Sequence, residues 1–154
     1  MRQTFDRRSI LGICAGSAAG AALLASGAPS YAAATTFKAN LMGSSEVPPN
    51  QTTGSGTVTM TFDPATKKLT WTGNYSGMTG PVTAAHIHGP AVPGKNAGVV
   101  LWLSTKGAPF PSPFQGSATL TDAQAADLMA GRYYVNVHTA ANPGGEIRGQ
   151  LVKS

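Results

Sequence analysis

From residue 36 onward the chain alternates apolar and polar side chains with a period of two, and Gly and Pro clusters interrupt the alternation every few residues. Successive side chains of a strand point to opposite faces, so this grammar predicts an antiparallel all-β domain. Thr36 to Met42 is the first candidate strand. Gly56 to Phe62 is the second, with Val58, Met60 and Phe62 on one face and Thr57, Thr59 and Thr61 on the other. Asp63-Pro64-Ala65-Thr66-Lys67 has the chemistry of a turn, because proline presets φ and aspartate can bond its own backbone. Lys68 to Tyr75 then pairs back with Leu69, Trp71 and Tyr75 on one face. Val82 to Gly89 and Gly98 to Ser104 follow, separated by a Gly- and Pro-containing loop. The second of them is nearly continuous in apolar residues, as expected of a strand covered on both faces. Trp71, Trp102 and Tyr75 sit at core-like spacing. Phe114 to Leu120 reads as a further strand. The grammar changes at Thr121, which can cap the first helical amides while Gln124 completes a capping box; Leu128 and Met129 supply the apolar side and Gly131 the stop. Arg132 to Thr139 and Glu146 to Val152 make a last hairpin around Ala140 to Gly145. The expected fold is an antiparallel β-sandwich or flattened barrel of seven to eight strands with one short crossover helix.

Residues 1–34 do not follow this pattern. Arg7-Arg8 precedes a Gly- and Ala-rich apolar run from Ser9 to Ala28, and Ser30-Tyr31-Ala32-Ala33-Ala34 offers small residues for a signal peptidase. Asp6-Arg7-Arg8-Ser9-Ile10-Leu11 resembles the twin-arginine consensus, and the low hydrophobicity of the run suits that route better than the general secretory one. The expectation is a signal peptide over 1–34, one domain over 35–154, and a mature protein that is exported to a periplasm or the extracellular space. The single cysteine, Cys14, lies in the signal, so disulfides, thiolate ligands and thiol nucleophiles are absent from the mature chain. About 120 residues remain, enough for one core but not two. Basic and acidic residues are scattered, with no aromatic-interleaved basic stripe, which argues against nucleic acid as a partner. No apolar run after Thr35 is long enough to span a bilayer as a helix, so no transmembrane segment is expected in the mature chain.

All three histidines of the chain lie in two of the predicted strands. In Ala85-His86-Ile87-His88-Gly89-Pro90, His86 and His88 share a face; in Tyr134-Val135-Asn136-Val137-His138-Thr139, His138 shares a face with Tyr134 and Asn136. Three imidazoles would converge if the two strands lie in one sheet. Neutral imidazole nitrogens suit copper or zinc, and the usual affinity order places copper above zinc at an all-nitrogen site. Glu146 alternates with Arg148 and Gln150 on the strand expected beside His138, so it is a candidate fourth ligand, an outer acceptor that orients an imidazole, or an ion-pair partner of Arg148 or Arg132. The competing reading is structural: His86, His88 and His138 bond to one another, to Asn136 and to the adjacent loops.

Four motifs carry a family resemblance. They are Leu41-x-Gly43-x-x-Glu46-Val47-Pro48-Pro49, Ala85-His86-Ile87-His88-Gly89-Pro90-Ala91, Leu128-x-x-Gly131-x-x-Tyr134-Val135-Asn136-Val137-His138-Thr139, and Pro143-x-Gly145-Glu146-Ile147-Arg148-Gly149-Gln150. In order and spacing the chain resembles the chordin-type (CHRD) domain of secreted bacterial proteins, which is repeated in animal chordin. The resemblance spans essentially the whole of 35–154 and implies an immunoglobulin-like extracytoplasmic domain with a protein or cell-surface partner. The His-x-His pair also resembles the copper strand of copper/zinc superoxide dismutase, but the zinc loop, the disulfide and the full ligand set are missing. A cupin site would need a glutamate where Ala91, Val92 and Pro93 stand.

Other features have folding explanations. Glu46-Val47-Pro48-Pro49 reads as a strand exit with Glu46 solvated or paired to a lysine, a ligand role being the lesser alternative. Phe110 to Phe114 is either an apolar lip over the histidines or packing across the end of the fold. No nucleophile elbow, catalytic triad or glycosidase carboxylate pair is present. The leading expectation is therefore a non-catalytic exported domain that binds a transition metal, copper favoured, in metal handling or sensing. An adhesion or protein-interaction module with structural histidines is the alternative, and a superoxide dismutase-like copper enzyme the third.

Overall fold

The computed structural model describes residues 33–154, except Gly107. The expected signal peptide lies, up to residue 32, outside the described residues. The elements are β1 (Thr35–Met42), β2 (Ser55–Asp63), β3 (Lys68–Ser76), β4 (Val82–His88), β5 (Val99–Trp102), β6 (Phe114–Thr119), α1 (Asp122–Met129), β7 (Tyr134–Thr139), β8 (Ile147–Gln150) and the two-residue β9 (Val152–Lys153). The strands form a single antiparallel sheet in the order β5-β4-β7-β8-β1-β2-β3-β6, with β9 paired to β1. The sheet curls on itself as a flattened half-barrel, which agrees with the all-β, one-helix fold expected from the pattern.

The core fills the inside of the curl. Phe37, Leu41, Val58, Met60, Leu69, Ala85, Ile87, Val135, Val137 and Ile147 are all buried there, joined by Leu128 from α1. Each fully buried Leu, Ile, Val, Phe or Met side chain contributes about 1.5–3 kcal/mol, so this inner face is the main source of stability. The local signals act as expected. Asp63 accepts from the Ala65 amide at 2.9 Å and the Thr66 hydroxyl at 2.7 Å, closing the β2–β3 turn, and Lys67 takes φ 57°. Thr121 and Gln124 form the reciprocal capping box of α1. Gly131, at φ 69°, ends the helix in the left-handed region that glycine enters most easily.

One expectation changes, and the choice between a lip and end packing for Phe110 to Phe114 resolves to packing. The stretch 98–104 is not a strand covered on both faces: only Val99–Trp102 is extended, and it forms one edge of the sheet. Its apolar residues read as a core run, but Val99 and Trp102 are both well exposed. Phe110 and Phe114 do not form a lip over the histidines. They are buried against each other and against Tyr75 at the opposite end of the sheet order, and the Tyr75 hydroxyl bonds the Phe110 carbonyl.

The histidines lie on the outer side of the curl. Ala85 and Ile87 of β4 and Val135 and Val137 of β7 point into the core, so His86, His88, Tyr134, Asn136 and His138 point away from it. Elsewhere that side is open to water. Here it is covered by the loops after β1, after β4 and after β7.

Candidate metal centre

Strands β4 and β7 are hydrogen-bonded neighbours, with Ala84 opposite His138, His86 opposite Asn136 and His88 opposite Tyr134. This register brings the three imidazoles together. Each offers one ring nitrogen to a common point, and these nitrogens lie within 4.8 Å of one another. His86 is buried, with 7% of its surface exposed, while His88 and His138 are half-buried.

The outer nitrogens of two rings have defined tautomers. His88 Nδ1 lies 3.0 Å from the Ala97 carbonyl, and His138 Nδ1 lies 3.0 Å from the Pro143 carbonyl. A carbonyl only accepts, so both Nδ1 atoms carry the proton and both Nε2 atoms present lone pairs. The Nε2 lone pair of His88 is buried without a partner. That of His138 faces His86 Nδ1 at 3.1 Å. Two nitrogens bound tetrahedrally to one zinc or copper ion at about 2.0–2.1 Å are separated by about 3.3 Å, so this pair already has nearly the spacing of two ligands.

Burial is the largest cause of a lowered pKa at all three histidines. His86 is pushed down to about 4 by burial and by its neighbours His138 and His88. His88 is lowered by burial and by the Arg148 charge against the raising effect of its bonds to Ala97 and Gly98, and His138 by burial and His88 against its bond to Pro143. The rings are therefore neutral at neutral pH, which is the state a metal ion requires.

A second layer surrounds the rings. Tyr134 stacks on His88 with centroids 5.1 Å apart and planes 6° apart. The buried Arg148 guanidinium lies 3.4 Å from the Tyr134 ring centroid as a cation–π contact. Since the strand order is β4-β7-β8, Tyr134 is layered between His88 and Arg148. Arg148 donates to Asn96 Oδ1 at 2.8 Å and the Lys95 carbonyl at 2.5 Å, and the Ala97 amide donates to the Tyr134 hydroxyl at 3.1 Å. The loop that supplies the Ala97 carbonyl is thus tied down by the same stack. Asn136 bonds not to the histidines but to Glu46, with its Nδ2 2.8 and 3.0 Å from the carboxylate oxygens. Glu46 is buried rather than solvated or paired to lysine. Burial raises its pKa to about 7, against the lowering effects of Arg148, Asn136 and the Val47 amide.

Glu146 stands in other surroundings than the three histidines. Its carboxylate accepts from the hydroxyls of Thr52 at 2.7 Å, Thr79 at 2.7 Å and Thr139 at 2.5 Å, from the Thr79 amide at 2.8 Å and from Asn142 Nδ2 at 3.2 Å. Burial alone would raise its pKa, but these donors together outweigh it and hold the group at about 2. Glu146 immediately precedes β8, after Gly145 at φ 134°, so the alternation that governs Arg148 and Gln150 does not extend back to it. Its nest fastens the loop that presents the Pro143 carbonyl to His138.

Parity alone brings out the three histidines. The layer of Glu46, Trp102, Tyr134 and Arg148 around them does not read as one unit in the sequence, although the shared parity of Tyr134 with His138 is a usable signal. Trp102 depends on register: it is paired with His86 across β4 and β5, which alternation within one strand does not reveal.

Among the described residues, no helix is long and apolar enough to cross a membrane. The sequence model of the CHRD domain matches residues 37–151. No curated protein and no solved structure matches the chain.

Proposed function

The chain belongs to the CHRD domain family, and on that premise we propose that it is an exported metal-binding domain whose His86, His88 and His138 hold one copper ion, with zinc as the competing metal. The observation that carries this reading is the convergence of three neutral ring nitrogens within 4.8 Å while the outer nitrogens of two rings are held by main-chain carbonyls. A carbonyl or carboxylate on the far nitrogen is the usual device that orients a ligating histidine and raises its basicity. Copper is preferred to zinc because an all-imidazole site follows the general affinity order of divalent ions. Glu146 acts from outside the ligand set, by fixing the loop around Pro143. The arrangement suits retention of a metal in handling or sensing at the cell envelope. Export rests on the twin-arginine-like sequence over residues 1–34.

The protein-interaction reading, with purely structural histidines, draws on the same hydrogen bonds, since each ring also has a protein partner. The two readings separate in one experiment. Untagged protein carrying residues 35–154 is titrated with copper and zinc, beside the His86→Ala, His138→Ala double variant. One equivalent bound by the wild type and lost in the variant, with a melting temperature that rises on loading, is expected for a metal site. A folded wild type that binds neither ion, with melting unchanged by chelator, overturns it.

A further inference from the structure

Two of the three rings have an outer partner, Ala97 for His88 and Pro143 for His138, while His86 Nε2 is buried with no nitrogen or oxygen in reach. A neutral imidazole has a single N–H, and neither placement suits His86 in isolation. With the proton on Nδ1, that N–H donates to His138 Nε2 at 3.1 Å and leaves a buried Nε2 lone pair unmatched. With the proton on Nε2, two lone pairs oppose each other across 3.1 Å. A cation between Nδ1 and His138 Nε2 removes the second conflict and leaves only the outer N–H to be satisfied.

The group available for that N–H is an aromatic face. Strand β4 lies between β5 and β7, and Nδ1 of His86 points toward β7, where His138 stands. The opposite side of the ring faces β5, where Trp102 is the cross-strand partner of His86. The two rings are perpendicular, at 88°, with centroids only 4.1 Å apart. An N–H directed at an aromatic face is a weak hydrogen bond, and the indole, whose centroid is nearer to His86 than those of His88 and His138, gives a buried imidazole N–H such an outlet. Resting on the three-histidine metal reading, we infer that Trp102 is a positioning residue of this site: its indole face takes the Nε2–H of His86 and so commits Nδ1 to the metal. The three inner nitrogens are then His86 Nδ1, His88 Nε2 and His138 Nε2, each backed by an acceptor on its far side.

The assignment also accounts for a large aromatic side chain left 43% exposed on an edge strand, where it adds little to the core. The test uses zinc, which is diamagnetic, and two variants. Trp102→Phe keeps an aromatic face and Trp102→Leu keeps only apolar bulk. Expected results are zinc affinity within about threefold of wild type for the first and about tenfold weaker for the second, the range seen when an outer partner of a ligating histidine is lost. The ¹⁵N spectrum of the zinc-loaded wild type should show His86 bound through Nδ1, with its Nε2 proton shifted upfield by the indole ring current. Equal affinity for wild type and Trp102→Leu, equal weakening by both variants, or ligation through Nε2 overturns the inference and leaves the metal site standing. A wild type that takes up no zinc or copper overturns both.

Discussion

Strands β2 and β3 turn Thr57, Thr59, Thr70 and Thr72 outward to water, whereas β4 and β7 turn His86, Tyr134 and Asn136 outward and bury them. Both halves of the sheet send alternate residues inward to the same core, so the difference lies wholly in what happens behind the sheet. Hydroxyl-bearing β-branched side chains are suited to a wet sheet face and need no cover. Burying imidazoles, an amide, a guanidinium and a carboxyl on the other half removes them from water, which costs free energy unless each finds a partner. Most of them do, through Ala97, Pro143, Asn96 and Glu46. The atoms that do not, His86 Nε2, His88 Nε2 and Asn136 Oδ1, belong to the same patch. The remaining unpaired buried side-chain atom among the described residues is Trp71 Nε1, which faces the core behind Gly116. Three of these four unsatisfied atoms thus cluster behind one half of the sheet, and that clustering is what sets the two halves apart.

The largest effect should come from the ligands themselves. Replacing His86 and His138 with alanine should weaken copper or zinc binding by about 10⁴-fold, at roughly a hundredfold per ligand, as read by competition with a chelator of known affinity. A retained stoichiometric site in that variant would break the comparison at its root.

Next comes Glu146. Alanine there strands the hydroxyls of Thr52, Thr79 and Thr139 and the Thr79 amide in a buried nest, and about 3 kcal/mol of unfolding free energy should be lost in a urea titration. Metal affinity should fall with it by a smaller factor, because the Pro143 carbonyl loses its support. Gly145→Ala follows at about 2 kcal/mol. The backbone there sits at φ 134°, and an added Cβ would lie 2.4 Å from Asn136 Nδ2 and 2.6 Å from Glu46 Oε1. The cost is read from the same titration, and a neutral result would mean that the packing between this loop and the outer layer is loose.

Glu46 gives a smaller effect with a distinctive sign. Its pKa is about 7 in the folded chain against an ordinary 4.5, so between these values the folded state binds more protons than the unfolded one. Its contribution to stability must therefore fall as pH rises from 4.5 to 7 and stay level above that. Glu46→Gln removes this dependence and supplies an amide donor beside the unpaired Asn136 Oδ1. It should match wild type near pH 4 and exceed it by about 1 kcal/mol at pH 8. A stability difference that does not change with pH would show that Glu46 ionises freely.

The strands, the Asp63 turn, the α1 capping box and the face shared by the histidines were legible because each depends on neighbours a few residues away. Trp102 and Glu46 were not, for a common reason. Trp102 sits in an apolar run that alternation reads as core, and only the register of β5 on β4 sets it on His86. Glu46 reads as a solvated strand exit, and only the long-range contact to Asn136, 90 residues on, makes it a buried acid. Glu146 illustrates the limit of parity: its two-residue spacing from Arg148 holds only inside a strand, and the backbone turns at Gly145 just before it.

The smallest expected effect tests the other half. Thr59 and Thr72 are paired across β2 and β3, both exposed, and neither makes a side-chain hydrogen bond that the fold depends on. If the outer face of this half is only a solvated surface, Thr59→Ala with Thr72→Ala should change the unfolding free energy by no more than about 0.5 kcal/mol per site, from lost β propensity alone. Metal affinity should be unaltered, since these residues are separated from the histidines by the core and by the strand order β4-β7-β8-β1-β2-β3. The measurement is a urea titration with and without copper. A loss of metal affinity here would mean that the two halves are coupled through the shared inner core, and the division drawn between a wet face and a built one would have to be replaced by a single cooperative sheet.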